Sequence, residues 1–239
     1  MQNTPRFDNF PPIRGILLDV DGTLLDSNVA HAAAWAQALG EHGIHVPPAL
    51  VQPLVGMGGD RILRAVCERE PDPELAARIQ TRRGELFRER WLPSLRPLPH
   101  VRELVLALRR RGARIVVASS ATRDDLPLLL EQAEVADLID AHTSADDARA
   151  SKPAPDIVLA ALQRGGFPAA EALLVGDTPW DVESARRARV RSVALRCGGW
   201  PDTALDGAMA IFDDPADLLA NLGRLPVGAT AMPAAPPAP

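Results

Sequence analysis

Apolar positions along this chain follow two patterns. Short continuous apolar runs that break abruptly into polar loops occur at Gly15–Leu18, Arg114–Ala118 and Ala172–Val175. Runs of this length without polar alternation fit parallel strands buried on both faces. Val190–Leu195 and Ala210–Phe212 are two further strand candidates. Over Val101–Arg111, Pro155–Arg164 and Val182–Arg189 the apolar spacing changes to the helical period. Strands alternating with helices predict βαβ units, and so an α/β fold with a doubly wound, Rossmann-like parallel sheet. Ligands of such sheets bind beyond the carboxyl ends of the strands.

The stretch from 28 to 91 has no convincing strand and reads as successive helices over Val29–Gly43, Ala49–Leu54, Asp60–Glu70 and Pro73–Trp91. It interrupts the strand–helix alternation after the first strand. The expected organisation is therefore a catalytic core from 1–27 and 92–226, a small all-helical cap domain at 28–91, and a tail at 227–239. The Ala- and Pro-rich composition of that tail predicts disorder. Asp26-Ser27 and Pro93–Pro99 are the two crossings between core and cap, and together they read as a hinge whose closure would exclude bulk water. No internal repeat is apparent.

With 239 residues the chain can bury one substantial core and carry a smaller module. The composition, 46% apolar and 24% charged, is that of a soluble enzyme. A net charge of −5 excludes the basic footprint of a general nucleic-acid or membrane-surface binder. No apolar run could span a bilayer, and the first seven residues lack the apolar core of a signal peptide. Cys67 and Cys197 are too few for a disulfide framework and read as free buried thiols, so the expected setting is cytoplasmic. Lys152 is the single lysine among 26 basic residues. A lysine surviving such an arginine bias is a candidate for a role in which a compact point charge cannot be exchanged for a guanidinium.

Asp19 and Asp21 sit two residues apart at the end of an apolar strand, and Gly22 permits a sharp turn after them. Each aspartate alone is explained by helix capping, but adjacent carboxylates repel unless a cation shares their charge. Mg²⁺ suits the arrangement because it takes few protein oxygens and leaves positions for water and phosphate. Asp177, at another strand end, is the third contributor. Ser119 and Ser120 close a strand with hydroxyls and backbone N–H groups able to hold phosphate oxygens. Lys152 precedes a helix in the proline-bounded segment Ser151-Lys152-Pro153-Ala154-Pro155.

Taken in order, Asp19-Val20-Asp21-Gly22-Thr23-Leu24, then Ser119, Lys152 and Gly176-Asp177-Thr178-Pro179-Trp180-Asp181 resemble the four motifs of the haloacid dehalogenase superfamily. The position of the helical insertion resembles the subclass that includes phosphoglycolate phosphatases and β-phosphoglucomutases. The resemblance implies a Mg²⁺-dependent phosphatase acting on a small phosphorylated metabolite through an aspartyl-phosphate. In it Asp19 is the nucleophile, and Asp21 is the acid and base that also offers its backbone carbonyl to the metal. Ser119 would bind the transferring phosphoryl group, Lys152 would neutralise it, and Asp177 would bind Mg²⁺. Asp181, one helical turn on, would support that set.

Within the family the aspartate at position 21 argues against dehalogenation, and a cap without lysine excludes a Schiff-base phosphonate cleavage. A sugar phosphomutase, or a non-catalytic binding protein on the same fold, remain the alternatives. In the cap, Val55–Arg61 is glycine-rich, and Arg61 is a candidate substrate anion contact, against a plain helix start with Asp60 as its cap. His31, His42, His45, His100 and His142 lack metal-ligand spacing and receive no role. Substrate identity is left open, and a monomer or homodimer is the expectation for this size.

Overall fold

The computed structural model describes residues 11–228 except 68 and 70. Six strands form one parallel sheet: β1 (Gly15–Leu18), β2 (Arg114–Ala118), β3 (Ala141–Thr143), β4 (Ala172–Gly176), β5 (Arg191–Leu195) and β6 (Ala210–Phe212). Their spatial order is β3-β2-β1-β4-β5-β6. The order reverses between β1 and β4, which pair in register from Gly15 with Ala172 to Leu18 with Val175. The loops leaving those two strands therefore part at the switch point, where a doubly wound sheet opens a crevice.

Strand alternation sorts the core into two layers. Ile16, Leu18, Ile115, Val117, Leu173 and Val175 face a cluster with helices α5 (Val101–Arg110), α6 (Asp125–Gln132) and α9 (Pro215–Ala220). Leu17, Val116, Ala118 and Leu174 face the opposite layer, with α7 (Asp156–Gly165) and α8 (Pro179–Arg187). Central residues such as Ile16, Leu17, Val116 and Leu174 are 0% exposed, which explains runs with no polar alternation.

The insertion is helical throughout: α1 (Asn28–Glu41), α2 (Pro48–Val51), α3 (Gly59–Val66) and α4 (Pro73–Leu86). Asp72 caps α4 by accepting from Leu75 N at 2.9 Å, with Pro73 in the first helical position. A π-helical turn, Phe87–Trp91, carries the chain back toward the core. Trp35, Leu39, Val51, Ile62, Ile79 and Leu86 form a cluster of the insertion's own. Ala30, Ala34 and Phe87 belong instead to the sheet's cluster, so the insertion is rooted in the core at its base. The two crossings pair with each other: Asp26 N donates to Arg96 O at 3.1 Å and Leu98 N to Leu24 O at 3.0 Å.

Several boundaries differ from the sequence expectations. The helix expected over Asp60–Glu70 ends at Val66, where Cys67 turns extended (φ −95°, ψ 134°), and residue 70 lies outside the described residues. α8 begins at Pro179, three residues before the expected Val182, because Thr178 and Asp181 form a capping box. Val227 and Gly228, read as tail, join the core: Val227 bridges to Ile13 and Gly228 N donates to Ile13 O at 3.1 Å. Both cysteines are free, as expected, but half-buried rather than buried. Residues 229–239, for which disorder was expected, and the first seven, read as lacking a signal peptide, lie outside the described residues. Among the described residues no helix is long and apolar enough to cross a membrane.

Candidate active site

The strand-end carboxylates converge. Asp19 follows β1, Asp177 follows β4, and Asp181 lies in the first turn of α8; one oxygen from each lies within 4.8 Å of the others, and all three residues are buried. Lys152 is 1% exposed, and its Nζ donates to Asp19 Oδ1 and Asp181 Oδ1 at 2.7 Å each. Burial disfavours the ammonium, but the carboxylates of Asp181 and Asp19 outweigh it and hold the Lys152 pKa above its ordinary value. Lys152 therefore stays charged.

Both oxygens of Asp181 have partners. Its Oδ2 accepts from the backbone N–H and the hydroxyl of Thr178, completing the capping box, while Oδ1 takes Lys152. Asp19 differs: its Oδ2 is buried and has no partner. Burial pushes the Asp19 carboxyl up, Lys152 opposes this, and the Asp181 carboxylate adds to it, leaving Asp19 at about 7. Asp177 accepts from Thr23 Oγ1 at 3.0 Å and Asn28 Nδ2 at 2.9 Å. Burial, then the charges of Asp19 and Asp181, still raise it well above the usual carboxylate range.

One lysine thus pairs with two of three buried carboxylates, and one carboxylate oxygen is orphaned among them. That donor set fits a divalent cation with hard oxygen ligands, which would lower both raised pKa values at once. Asp19 and Asp177 have the free lone pairs for it. Asp181, the third carboxylate of the cluster, is the most heavily bonded, with two hydrogen bonds on Oδ2 and the Lys152 ammonium on Oδ1, whereas each Asp177 oxygen accepts one neutral donor.

Asp21 is held differently. Its Oδ1 accepts from Ser27 Oγ at 2.6 Å and lies 2.7 Å from His31 Nε2. Burial pushes its carboxyl up, but the charge and hydrogen bond of His31 and the bond from Ser27 outweigh that and hold it below its usual value. His31, given no role from sequence, stacks on Phe87 with ring centroids 4.0 Å apart. Ser27 and His31 are four residues apart at the start of α1 and so share a face; that i, i+4 spacing is the signal that could have found them.

The remaining expected residues are distributed around this centre. Ser119 is 0% exposed, and its Oγ accepts from Ala121 N at 3.0 Å. Ser120 lines the cavity that holds Asp19 and Asp21, and its hydroxyl donates to Gly56 O of the insertion at 2.9 Å. Arg61 donates Nε to Ser151 O at 3.2 Å, which ties it to a core loop. The guanidinium lining the cavity is that of Arg83, which sequence reasoning missed. It stands 5.5 Å from the Trp35 ring centroid and 3.6 Å from Asp125, with its buried Nε unpartnered. Arg88 also pairs Asp125, at 2.6 Å.

A parallel sheet ordered 3-2-1-4-5-6, with paired aspartates after β1, a buried lysine and a further aspartate after β4, defines a hydrolase core of one class. The chain belongs to the haloacid dehalogenase-like hydrolase family, whose model matches residues 13–189. It is 30% identical over 188 residues to the fructose-1-phosphate phosphatase YqaB of Escherichia coli, covering 76% of this chain and 96% of that one. It is 33% identical over 187 residues to a phosphoglycolate phosphatase of Nitrosospira multiformis, covering 75% and 82%. Among solved structures, a hydrolase from Pseudomonas syringae superposes with a TM-score of 0.82 at 31% identity, over 87% of this chain and 97% of that one.

Proposed function

We propose that the protein is a Mg²⁺-dependent phosphatase that hydrolyses a small phosphate monoester through an aspartyl-phosphate on Asp19. The observation that carries this reading is the asymmetry of the Asp19 carboxylate. Lys152 fixes one oxygen, and the other is buried and unpartnered beside a cavity also lined by Asp21. A carboxylate held this way is oriented for in-line attack without needing to break a hydrogen bond first. The curated relatives named for fructose 1-phosphate and phosphoglycolate act on small monoesters by their names, which supports the same class of substrate.

In the first step an Asp19 oxygen bonds to phosphorus as the ester P–O bond breaks, and Asp21 gives a proton to the leaving alkoxide. The incoming phosphate dianion adds negative charge beside Asp21 and so raises its proton affinity from the low value of the free site. In the second step Asp21 takes a proton from water, the water oxygen bonds to phosphorus, and the bond to Asp19 breaks, regenerating the carboxylate and releasing phosphate. Lys152 balances the charge on Asp19, and Ser119 supplies a hydroxyl to the transferring group. Asp19, Asp177 and the Asp21 backbone would hold Mg²⁺, which supplies Lewis-acid neutralisation of the phosphoryl oxygens.

The test is phosphate release from a panel of small phosphate esters with Mg²⁺, with EDTA, and with Asp19→Asn. Release that needs the metal and vanishes in the variant is the expected result. No release from a folded, Mg²⁺-supplied protein, or transfer between positions of a sugar phosphate without free phosphate, would overturn it.

A further inference from the structure

One short stretch of the insertion touches three loops of the core. Gly56 O accepts from Ser120 Oγ at 2.9 Å, and a Cβ on Gly56 would stand 3.0 Å from Thr178 Cγ2. Asp60 Oδ1 accepts from Ser151 Oγ at 2.6 Å, and Arg61 Nε donates to Ser151 O at 3.2 Å. Ser120, Ser151 and Thr178 are the immediate chain neighbours of Ser119, Lys152 and Asp177. Gly58 has an ordinary extended backbone (φ −71°, ψ 156°), yet any Cβ there would overlap Ser151 Oγ. Close approach to Ser151, rather than conformational freedom, is what requires glycine at that position.

We infer that Asp60 and Arg61 are positioning residues for Lys152 and act through Ser151. The carbonyl of Ser151 belongs to the peptide plane that leads into Lys152. That carbonyl accepts from Arg61 Nε and from Ala154 N at 3.0 Å, while the Ser151 hydroxyl is held by Asp60. The plane is thereby fixed from both sides. Lys152 Nζ sits at 2.7 Å from two carboxylates, so a small rotation of its backbone lengthens both contacts together. Among the described residues Asp60 and Arg61 do not line the cavity holding Asp19 and Asp21, which separates this role from substrate contact. The clasp forms only while the insertion lies against the core, and it therefore completes the charge arrangement around Asp19 when the site is covered.

The kinetic arm of the test rests on the phosphatase reading; a second arm does not. With a phosphate ester that the wild type hydrolyses in Mg²⁺, Asp60→Ala and Ser151→Ala are each expected to lower kcat about tenfold, with KM within about twofold. The double variant should be no worse than the worse single one, and Asp60→Asn, which keeps an acceptor oxygen, should recover most of kcat. Unchanged kcat in both single variants, multiplicative losses, or a loss confined to KM would overturn the inference. The second arm follows amide hydrogen exchange over residues 151–154 without any substrate. Faster exchange in Asp60→Ala than in wild type is expected, and equal exchange would overturn the clasp. A wild type that releases no phosphate would refute only the phosphatase reading, because the exchange arm still reads the clasp.

Discussion

Core and insertion supply polar groups to the same cavity but hold them by different means. In the core, Asp19, Lys152, Asp177 and Asp181 are at most 3% exposed, and Lys152 pins two of the three carboxylates from loops anchored on β1 and α8. The insertion meets the core through His31 on Asp21, Arg88 on Asp125, Asp60 on Ser151, and Pro53 O, which accepts from the Trp180 indole of α8 at 3.3 Å. These contacts all join the insertion to the core. A group buried within one part is fixed when that part folds, whereas a group contributed across the join is fixed only when the two parts meet. Changes in the core should therefore stop the reaction or unfold the protein, and changes in the insertion should scale the reaction.

The largest effect expected is that of Asp19→Asn, which should lower phosphate release by at least about a thousandfold in steady-state assays while the protein stays folded. Next, Lys152→Met leaves Asp19 and Asp181 buried without their cation. It should cost about 3–5 kcal/mol in urea unfolding, because breaking a buried ion pair strands the partners.

A third expectation concerns pH. In the metal-free protein Asp19 holds its proton more tightly folded, at about 7, than unfolded, near 3.8, and Asp177 is shifted in the same direction. Their contribution to stability is therefore greatest in acid and declines as pH rises from about 4 through about 7. A bound divalent cation offsets that decline, so the rise in Tm on adding Mg²⁺ should be larger at pH 8 than at pH 5. An equal shift at both values would count against a metal at these carboxylates.

The smallest effect is reserved for the insertion. His31→Asn should reduce kcat about tenfold, and it should cost about 0.5–1.5 kcal/mol of stability through the lost stack on Phe87. If its kcat matched that of Asp19→Asn, the contrast between core and insertion would fail.

The same contrast governs what could be read from the chain alone. β1 and β4 were legible because both faces are buried and each apolar run breaks at an aspartate loop. β3 was not: it has three residues with an exposed His142 in the middle, too short and too polar to stand out. α6 and α9, of eight and six residues, passed unnamed for a similar reason. The paired aspartates, Lys152 and Asp177 declared themselves by spacing and rarity. His31 did not, since its contact with Asp21 depends on how α1 lies against the loop it leaves. Arg82 and Arg83 are adjacent on α4, yet the first pairs with Glu41 and Glu85 at the surface and the second turns inward over Trp35. Packing alone separates them.

Asp181 ties the start of a helix to the charge of the site. One of its oxygens accepts from the N-cap residue Thr178 in the box that starts α8, and the other receives Lys152, so the helix start and the charge cluster share one side chain. Without the first turn of α8, Lys152 would lose one of the two carboxylates that hold its ammonium beside Asp19. Whatever frays the first turn of α8 therefore also loosens the cation beside Asp19, so a local change in where the helix starts is felt in the charge cluster.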